Sequence, residues 1–270
     1  MNLFEYVAPT SRAELHDVLA DAEGAKVLAG GTDLLVDIRA GIAKPALVVD
    51  VKKVDGFGEI EWSESEGLAI GPAVTVNELI AHPKVRASYP LLVTCGETLA
   101  SYQLRNRATV VGNIVNASPC ADMAPGLLCL EARVEIGSKR GTREIPIARF
   151  FTGVKKTVLA PDEIVERIVV PPETAGARGS YRKLKRINGH DLALVGVALA
   201  RSNGDLRVAV AAAAPTPVLV EGLAGDASAD DVAAATQAAI SPIGDVRCGK
   251  EYRQHMVDVY VRRLLEEVRR

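Results

Sequence analysis

The run Thr109-Val110-Val111-Gly112-Asn113-Ile114-Val115-Asn116-Ala117-Ser118-Pro119-Cys120-Ala121-Asp122 decides how the rest of the chain is read. It carries no charge before Asp122, although Arg105 and Arg107 precede it. A glycine adjoins an amide side chain, Ser-Pro follows, and Asp122 opens an apolar run from Met123 to Leu130. Glycine permits close backbone approach and positive φ. Free N–H groups at a helix start suit an anion such as a phosphate. A second stretch is its counterpart: Val27-Leu28-Ala29-Gly30-Gly31-Thr32-Asp33-Leu34, a short apolar strand, two glycines, a capping Thr and a helical pattern. The two segments together are expected to hold a pyrophosphate.

Taken singly, these residues have ordinary explanations. A glycine pair before Thr32 makes a tight strand-to-helix turn, Asn113 and Ser118 are turn residues bonding local backbone, and Asp122 is a helix-start acid. The functional reading rests on their density in a segment too apolar for a solvated loop. Asp33 would repel a phosphate if its carboxylate pointed inward, so it is expected to point away. Neither G-x-G-x-x-G nor G-x-x-x-x-G-K-[ST] occurs, which disfavours a nicotinamide Rossmann site and a P-loop ATPase.

The 270 residues suffice for one large domain or two ordinary ones. A hydrophobic share of 48% and a charged share of 24% are those of an ordinary globular protein. A net charge of −2 gives no reason to expect nucleic acid or an anionic membrane as partner. Aromatic residues, at 4%, are too few for base-stacking platforms. The cysteines at 95, 120, 129 and 248 form no CxxC, which argues against a zinc or iron–sulfur site held by this chain alone. No signal peptide or membrane span is read, and the cytoplasm is the default expectation.

In chain order, Ser11 to Glu14 is a capping box before a helix ending near Asp21. Lys26–Ala29 and Ala46–Val51 read as strands, with a helix from Thr32 to about Ala40 between them. Two short strands, Glu59–Trp62 and Leu68–Gly71, precede a second capping box at Thr75 to Glu78. Pro90–Ser101 and Asp122–Leu130 read as helices, and Arg133–Gly137, Thr142–Ile147 and Ile164–Val170 as strands. Pro171 to Gly179 has no apolar pattern and reads as a linker, the best domain boundary. Beyond it, Ser180–Arg186, Leu192–Arg201 and Leu206–Ala213 read as three strands of a meander, followed by helices Asp230–Ile240 and Lys250–Arg269. The fold class is α+β: residues 1–172 form the first domain and 173–270 a smaller one with a three-stranded antiparallel sheet and helices. In the first of those strands, period two places Tyr181, Lys183 and Lys185 on one face, where they guard an edge or meet a flat anionic cofactor. The histidines at 16, 82, 190 and 255 read as surface residues without partners. No G-x-S-x-G, Cys/His pair or H-E-x-x-H supports hydrolase chemistry.

With these motifs in order, the chain resembles the FAD-binding medium subunit of the molybdenum hydroxylases, the family of carbon monoxide dehydrogenase and xanthine dehydrogenase. Ala29 to Asp33 is similar to the family's first pyrophosphate loop. Arg105-Asn106-Arg107-Ala108-Thr109-Val110-Val111-Gly112-Asn113-Ile114 is similar to the second, continued by Ala117 to Asp122. Ile147 to Gly153, Glu163 to Val165, Tyr181 to Arg186 and Tyr252-Arg253 fit the same family. The resemblance implies a two-lobed FAD-binding domain of the PCMH type and a bound FAD. It implies that residues 27–34 and 109–113 contact the pyrophosphate, and that Asp122, Lys183 and Val165 lie near the flavin. It implies partners: a molybdopterin-binding large subunit that oxidises the substrate and a [2Fe–2S] small subunit, as a dimer of heterotrimers. This chain would then pass electrons from a cluster to an external acceptor and hold no substrate-oxidising residue. Two other readings are a structural subunit with a decayed flavin site and a stand-alone oxidase of the vanillyl-alcohol-oxidase type.

One departure bears on the cofactor. The family's second loop usually has two consecutive glycines before the Asn, and the first is here Val111. A positive φ there would strain a β-branched residue, and a close approach to phosphate would be narrowed. FAD is expected to be retained with weaker affinity.

Overall fold

The computed structural model describes residues 3–270. The chain begins with a small lobe: β1 (Glu5–Val7), α1 (Arg12–Asp21), β2 (Lys26–Leu28), α2 (Leu34–Arg39) and β3 (Leu47–Asp50). Its three strands are parallel in the order β1-β3-β2. Leu15, Leu19, Val49, Val51 and Phe57 fill its core. The capping at Ser11 is offset from the expected box. Ser11 Oγ accepts from Glu14 N, but Glu14 Oε2 takes the N–H of Thr10 at 2.8 Å.

A second lobe follows. β4 (Ile60–Ser63) and β5 (Gly67–Ile70) form a hairpin. The short helices α3 (Val76–Ala81), α4 (Pro83–Ser88), α5 (Pro90–Thr98), α6 (Tyr102–Arg105), α7 (Val110–Val115) and α8 (Met123–Cys129) come next. β6 (Arg133–Ser138), β7 (Gly141–Pro146), the hairpin β8 (Phe151–Gly153) and β9 (Lys156–Thr157), and β10 (Ile164–Val170) complete it. The five-stranded antiparallel sheet runs β4-β5-β10-β6-β7. At Thr75 the expected capping box is complete, with both reciprocal bonds present.

The last part is β11 (Arg178–Leu184), β12 (Val195–Ser202), β13 (Asp205–Ala211), β14 (Val218–Ala224), α9 (Ala229–Ala239) and α10 (Lys250–Arg269). Its sheet is a four-stranded antiparallel meander, not three-stranded. The extra strand, β14, follows Pro217 and is an edge strand. Gly222, at φ 75°, sits within it where the register with β13 shifts. An edge strand interrupted in this way shows no clean alternation, so period two does not reveal it.

The meander is buried on both faces. Val195, Val197, Leu199, Leu206 and Val208 pack against α9 and α10. Ala198, Ala200 and Ala209 face the other way and join the core built by α5 and α8. Alanines there let the helices approach closely: Cys129 Sγ reaches the carbonyl of Ala198 at 3.7 Å. The segment before β11 is no free linker. Thr174 is buried and its hydroxyl donates to the carbonyls of Pro171 and Leu130. The two parts of the chain are packed together, and their junction passes along α5, α8 and β11.

Candidate functional site

β2 ends at Leu28, and five residues separate it from the start of α2 at Leu34. Between them, Gly31 has φ 72°, a conformation that costs glycine nothing and other residues strain. Among the described residues, the N–H groups of Gly30, Gly31, Thr32, Asp33 and Leu34 have no hydrogen-bond partner. Consecutive free N–H groups around a left-handed glycine form a concave anion-binding nest. The helix cap differs from the expectation: Asp33, not Thr32, is the N-cap, and neither makes a capping bond. The Asp33 carboxylate instead accepts from Asn116 Nδ2 at 3.1 Å, with Lys155 Nζ 3.8 Å away. Its charge is thus partnered by α7 and the β8–β9 hairpin. Val27 and Leu28 lie in β2 and are incompletely buried.

Thr109 starts the second segment. Its backbone is bridged to Thr75 by Val76 N–Ala108 O and Val110 N–Val74 O bonds. Its hydroxyl accepts from Gly112 N at 3.0 Å and caps α7, an arrangement worth about 1 kcal/mol. Gly112 is the residue this cap requires, because a Cβ there would lie 2.6 Å from Thr109 Oγ1. Asn113 reaches forward instead: its Oδ1 accepts from Met123 N at 3.2 Å and caps α8 from outside. Val110 and Val111 are buried in the main core with Val165, on which α7 packs. Val111 is helical and is not among the residues with positive φ. The strain foreseen for a valine in place of glycine is therefore absent.

The two segments meet. A Cβ on Gly30 would fall 2.0 Å from the Arg107 carbonyl oxygen and 3.0 Å from Ala108 Cα. Only glycine lets the β2–α2 turn lie on the backbone leading into α7. Arg105 and Asn77 hold that backbone. Arg105 donates to Asn77 Oδ1 and to the carbonyls of Glu97 and Leu99, and Asn77 donates to Tyr102 O and Asn106 Oδ1. No sequence pattern signals this brace, because Asn77 reads simply as a residue within the capping box at Thr75.

Asp122 precedes α8 without capping it, since Asn113 caps the helix. Its carboxylate is buried and takes a 2.8 Å contact from Lys183 Nζ and a 2.9 Å bond from Tyr181 OH, both from β11. Lys183 also donates to Thr98 O at 3.3 Å. Burial pushes the Asp122 carboxyl up from its usual range, while Lys183 and Tyr181 pull it back. Burial and the facing Asp122 charge hold the Tyr181 phenol well above its ordinary value. Gly196 makes room for this phenol: a Cβ there would sit 2.3 Å from its oxygen. Tyr181 is thus a buried partner of Asp122. Lys185 turns to the Gly189 carbonyl at 2.9 Å.

The histidines are not all unpartnered surface groups: His16 Nε2 lies 2.9 Å from Glu166 Oε1, a buried carboxylate of β10. Among the described residues no three His, Cys, Asp or Glu side chains are grouped to hold a metal ion. No described helix is long and apolar enough to cross a membrane.

Residues 2–173 match the family described as the FAD binding domain in molybdopterin dehydrogenase, and residues 179–268 match the CO dehydrogenase flavoprotein C-terminal domain. The chain belongs to the FAD-binding subunits of the molybdopterin dehydrogenases. It is 32% identical over 282 residues to the xanthine dehydrogenase FAD-binding subunit of Escherichia coli O157:H7, covering 98% of this chain and 97% of that one. It is 34% identical over 276 residues to the carbon monoxide dehydrogenase medium chain of Hydrogenophaga pseudoflava, covering 97% and 96%. A solved structure of carbon monoxide dehydrogenase from Hydrogenophaga pseudoflava superposes with a TM-score of 0.90 at 32% identity, covering 98% of this chain and 96% of that one. The cofactor of this flavoprotein family member is FAD. A dinucleotide needs an anion cradle for its pyrophosphate, and the free N–H groups beside Gly30 and Gly31 are of that kind.

Proposed function

We propose that this flavoprotein is the electron-transferring medium subunit of a molybdenum hydroxylase complex. It would take electrons from a [2Fe–2S] small subunit and pass them to an external acceptor. Substrate oxidation would fall to a molybdopterin-binding large subunit, in a cytoplasmic assembly arranged as a dimer of heterotrimers. The observation that carries this reading is the full-length relationship to chains named medium chain or FAD-binding subunit, with both loops of the nest present and in contact. FAD, when bound, supplies the capacity to exchange electrons singly or in pairs.

The chain's own residues bind and orient that cofactor. Backbone N–H groups of Ala29, Gly30, Gly31, Thr32, Asp33 and Leu34 on one side, and of Thr109 and Val111 on the other, receive the pyrophosphate, while the Gly112 N–H stays on the Thr109 hydroxyl. Val27, Leu28, Val110 and Val165 supply apolar support beneath it. Asn113 fixes the start of α8 and so places Asp122. Asp122 and Lys183 stand at the polar edge of the flavin, where a fixed cation favours electron density arriving on the ring. Their mutual contact, with Tyr181 behind them, keeps both in one geometry. Val111 lies in a regular helix without the strain foreseen for it, which supports an intact flavin site.

The experiment is anaerobic reduction of the purified three-chain complex by its substrate. The flavin absorption should bleach only when the iron–sulfur chain is present. Bleaching of this chain alone by the substrate would identify a stand-alone oxidase and overturn the reading.

A further inference from the structure

We propose that the cleft between the start of β11 and the β12–β13 hairpin binds the phosphate group of a small molecule. The cleft measures ≈ 310 Å³ and is lined by Ala175 to Arg178 and by Arg201 to Gly204. Arg178 and Arg201 are directly opposite each other in the antiparallel register of β11 and β12. They therefore project from the same face of the sheet. Like charges in that position repel and destabilise a sheet. The neighbouring cross-strand cations of this protein are neutralised: Arg182 by Glu267, and Arg207 by Glu131. Among the described residues, neither Arg178 nor Arg201 has a carboxylate within ion-pair distance, although Glu173 and Asp205 are nearby in the chain.

Arg201 Nε would lie 3.2 Å from a Cβ on Gly225, whose carbonyl accepts from Arg269 outside the lining of the cleft. The hairpin that shapes the cleft is held in place: Ser202 Oγ and Asn203 Nδ2 both donate to the Glu173 carbonyl. Two arginines with free forks in a braced cleft match the bidentate recognition of phosphate oxygens. The site is separate from the Asp122–Lys183 pair, which lies five residues further along β11 at about 3.3 Å per residue. It rests on none of the flavin-site assignments.

The test titrates inorganic pyrophosphate, and separately ADP, into the FAD-saturated protein by calorimetry. Saturation with FAD occupies the cofactor site whatever residues form it, so the signal comes from elsewhere. The expected result is saturable binding of one pyrophosphate per chain, weakened at least tenfold in both Arg178→Gln and Arg201→Gln. Tighter binding of ADP than of pyrophosphate would assign the cleft to a nucleotide, and equal binding to the phosphate group alone. In phosphate-free buffer, Arg178→Gln should melt no lower than the parent chain, because it removes the repulsion. Absence of saturable binding, binding untouched by both variants, or a lowered melting temperature of Arg178→Gln without anion would overturn the proposal.

Discussion

Gly30 lies against the carbonyl of Arg107 with no room for a side chain: an added Cβ would be 2.0 Å from that oxygen. Residues 77 positions apart in sequence thus form one surface, and a nest of free N–H groups opens beside the contact. Gly30→Ala must part the two segments, since backbone cannot yield as a flexible side chain can. FAD affinity is expected to fall at least tenfold, while the far sheet of β11 to β14 stays folded. Fluorescence titration with FAD, alongside circular dichroism, measures both.

Val111 leads to the opposite expectation. It is 4% exposed and sits within α7 among core residues. Restoring the glycine usual in the family should bring no gain in FAD affinity. It should lose about 2–4 kcal/mol of stability through the cavity and the helical glycine. Urea unfolding with and without FAD checks this: a tighter FAD complex in Val111→Gly would show that the valine narrows the site.

The Asp122–Lys183 pair is buried, so removing one partner leaves a charge without compensation. Asp122→Ala and Lys183→Met are each expected to cost about 3–5 kcal/mol, with the double variant costing less than their sum. Tyr181→Phe leaves one carboxylate oxygen short of a partner and should cost about 1–3 kcal/mol. If the pair faces the flavin, all three variants also shift its absorption maxima and reduction potential. Unchanged spectra in destabilised but FAD-loaded variants would confine the pair to a structural role.

Asp191 supplies the pH dependence. Arg186 grips its carboxylate through Nε and Nη2, and the N–H groups of Arg186 and Leu192 add to the hold. These bonds lower its pKa from 3.8 to about 2. A depressed carboxylate stabilises the folded state above its unfolded pKa and loses that contribution as pH falls through the folded value. The loop from 186 to 191 should therefore hold above pH 3.8 and loosen as pH approaches about 2. Carboxyl NMR across that range should find Asp191 titrating well below 3.8, and Asp191→Asn should abolish the transition.

Much of this architecture was legible because local rules and global fold agree. The capping box at Thr75, the glycine pair and the amphipathic stripe of α10 each have a short-range cause. The failures have physical reasons. β14 was hidden by Pro217 before it and Gly222 within it. Pro171 to Gly179 reads as a linker or long loop, and nothing in the sequence reports that Thr174 within it is buried by distant packing. Asn113 reads either as a turn residue bonding local backbone or as a cofactor contact, and the sequence does not show that its amide oxygen caps the next helix. Tyr181 reads either as part of a solvated edge or as facing a cofactor, and only the packing against α8 reveals its bond to Asp122. The close contact at Gly30 is likewise tertiary: the glycine was visible, but its neighbour was not.

The claim on which the account turns is that the nest at Gly30 and Thr109 holds a pyrophosphate. Titrating the flavin-free chain with FAD and with FMN, followed by visible absorption, tests it most directly. The account predicts one FAD per chain and FMN binding at least a hundredfold weaker, because FMN lacks the pyrophosphate linkage. Equal affinity for the two flavins would contradict it.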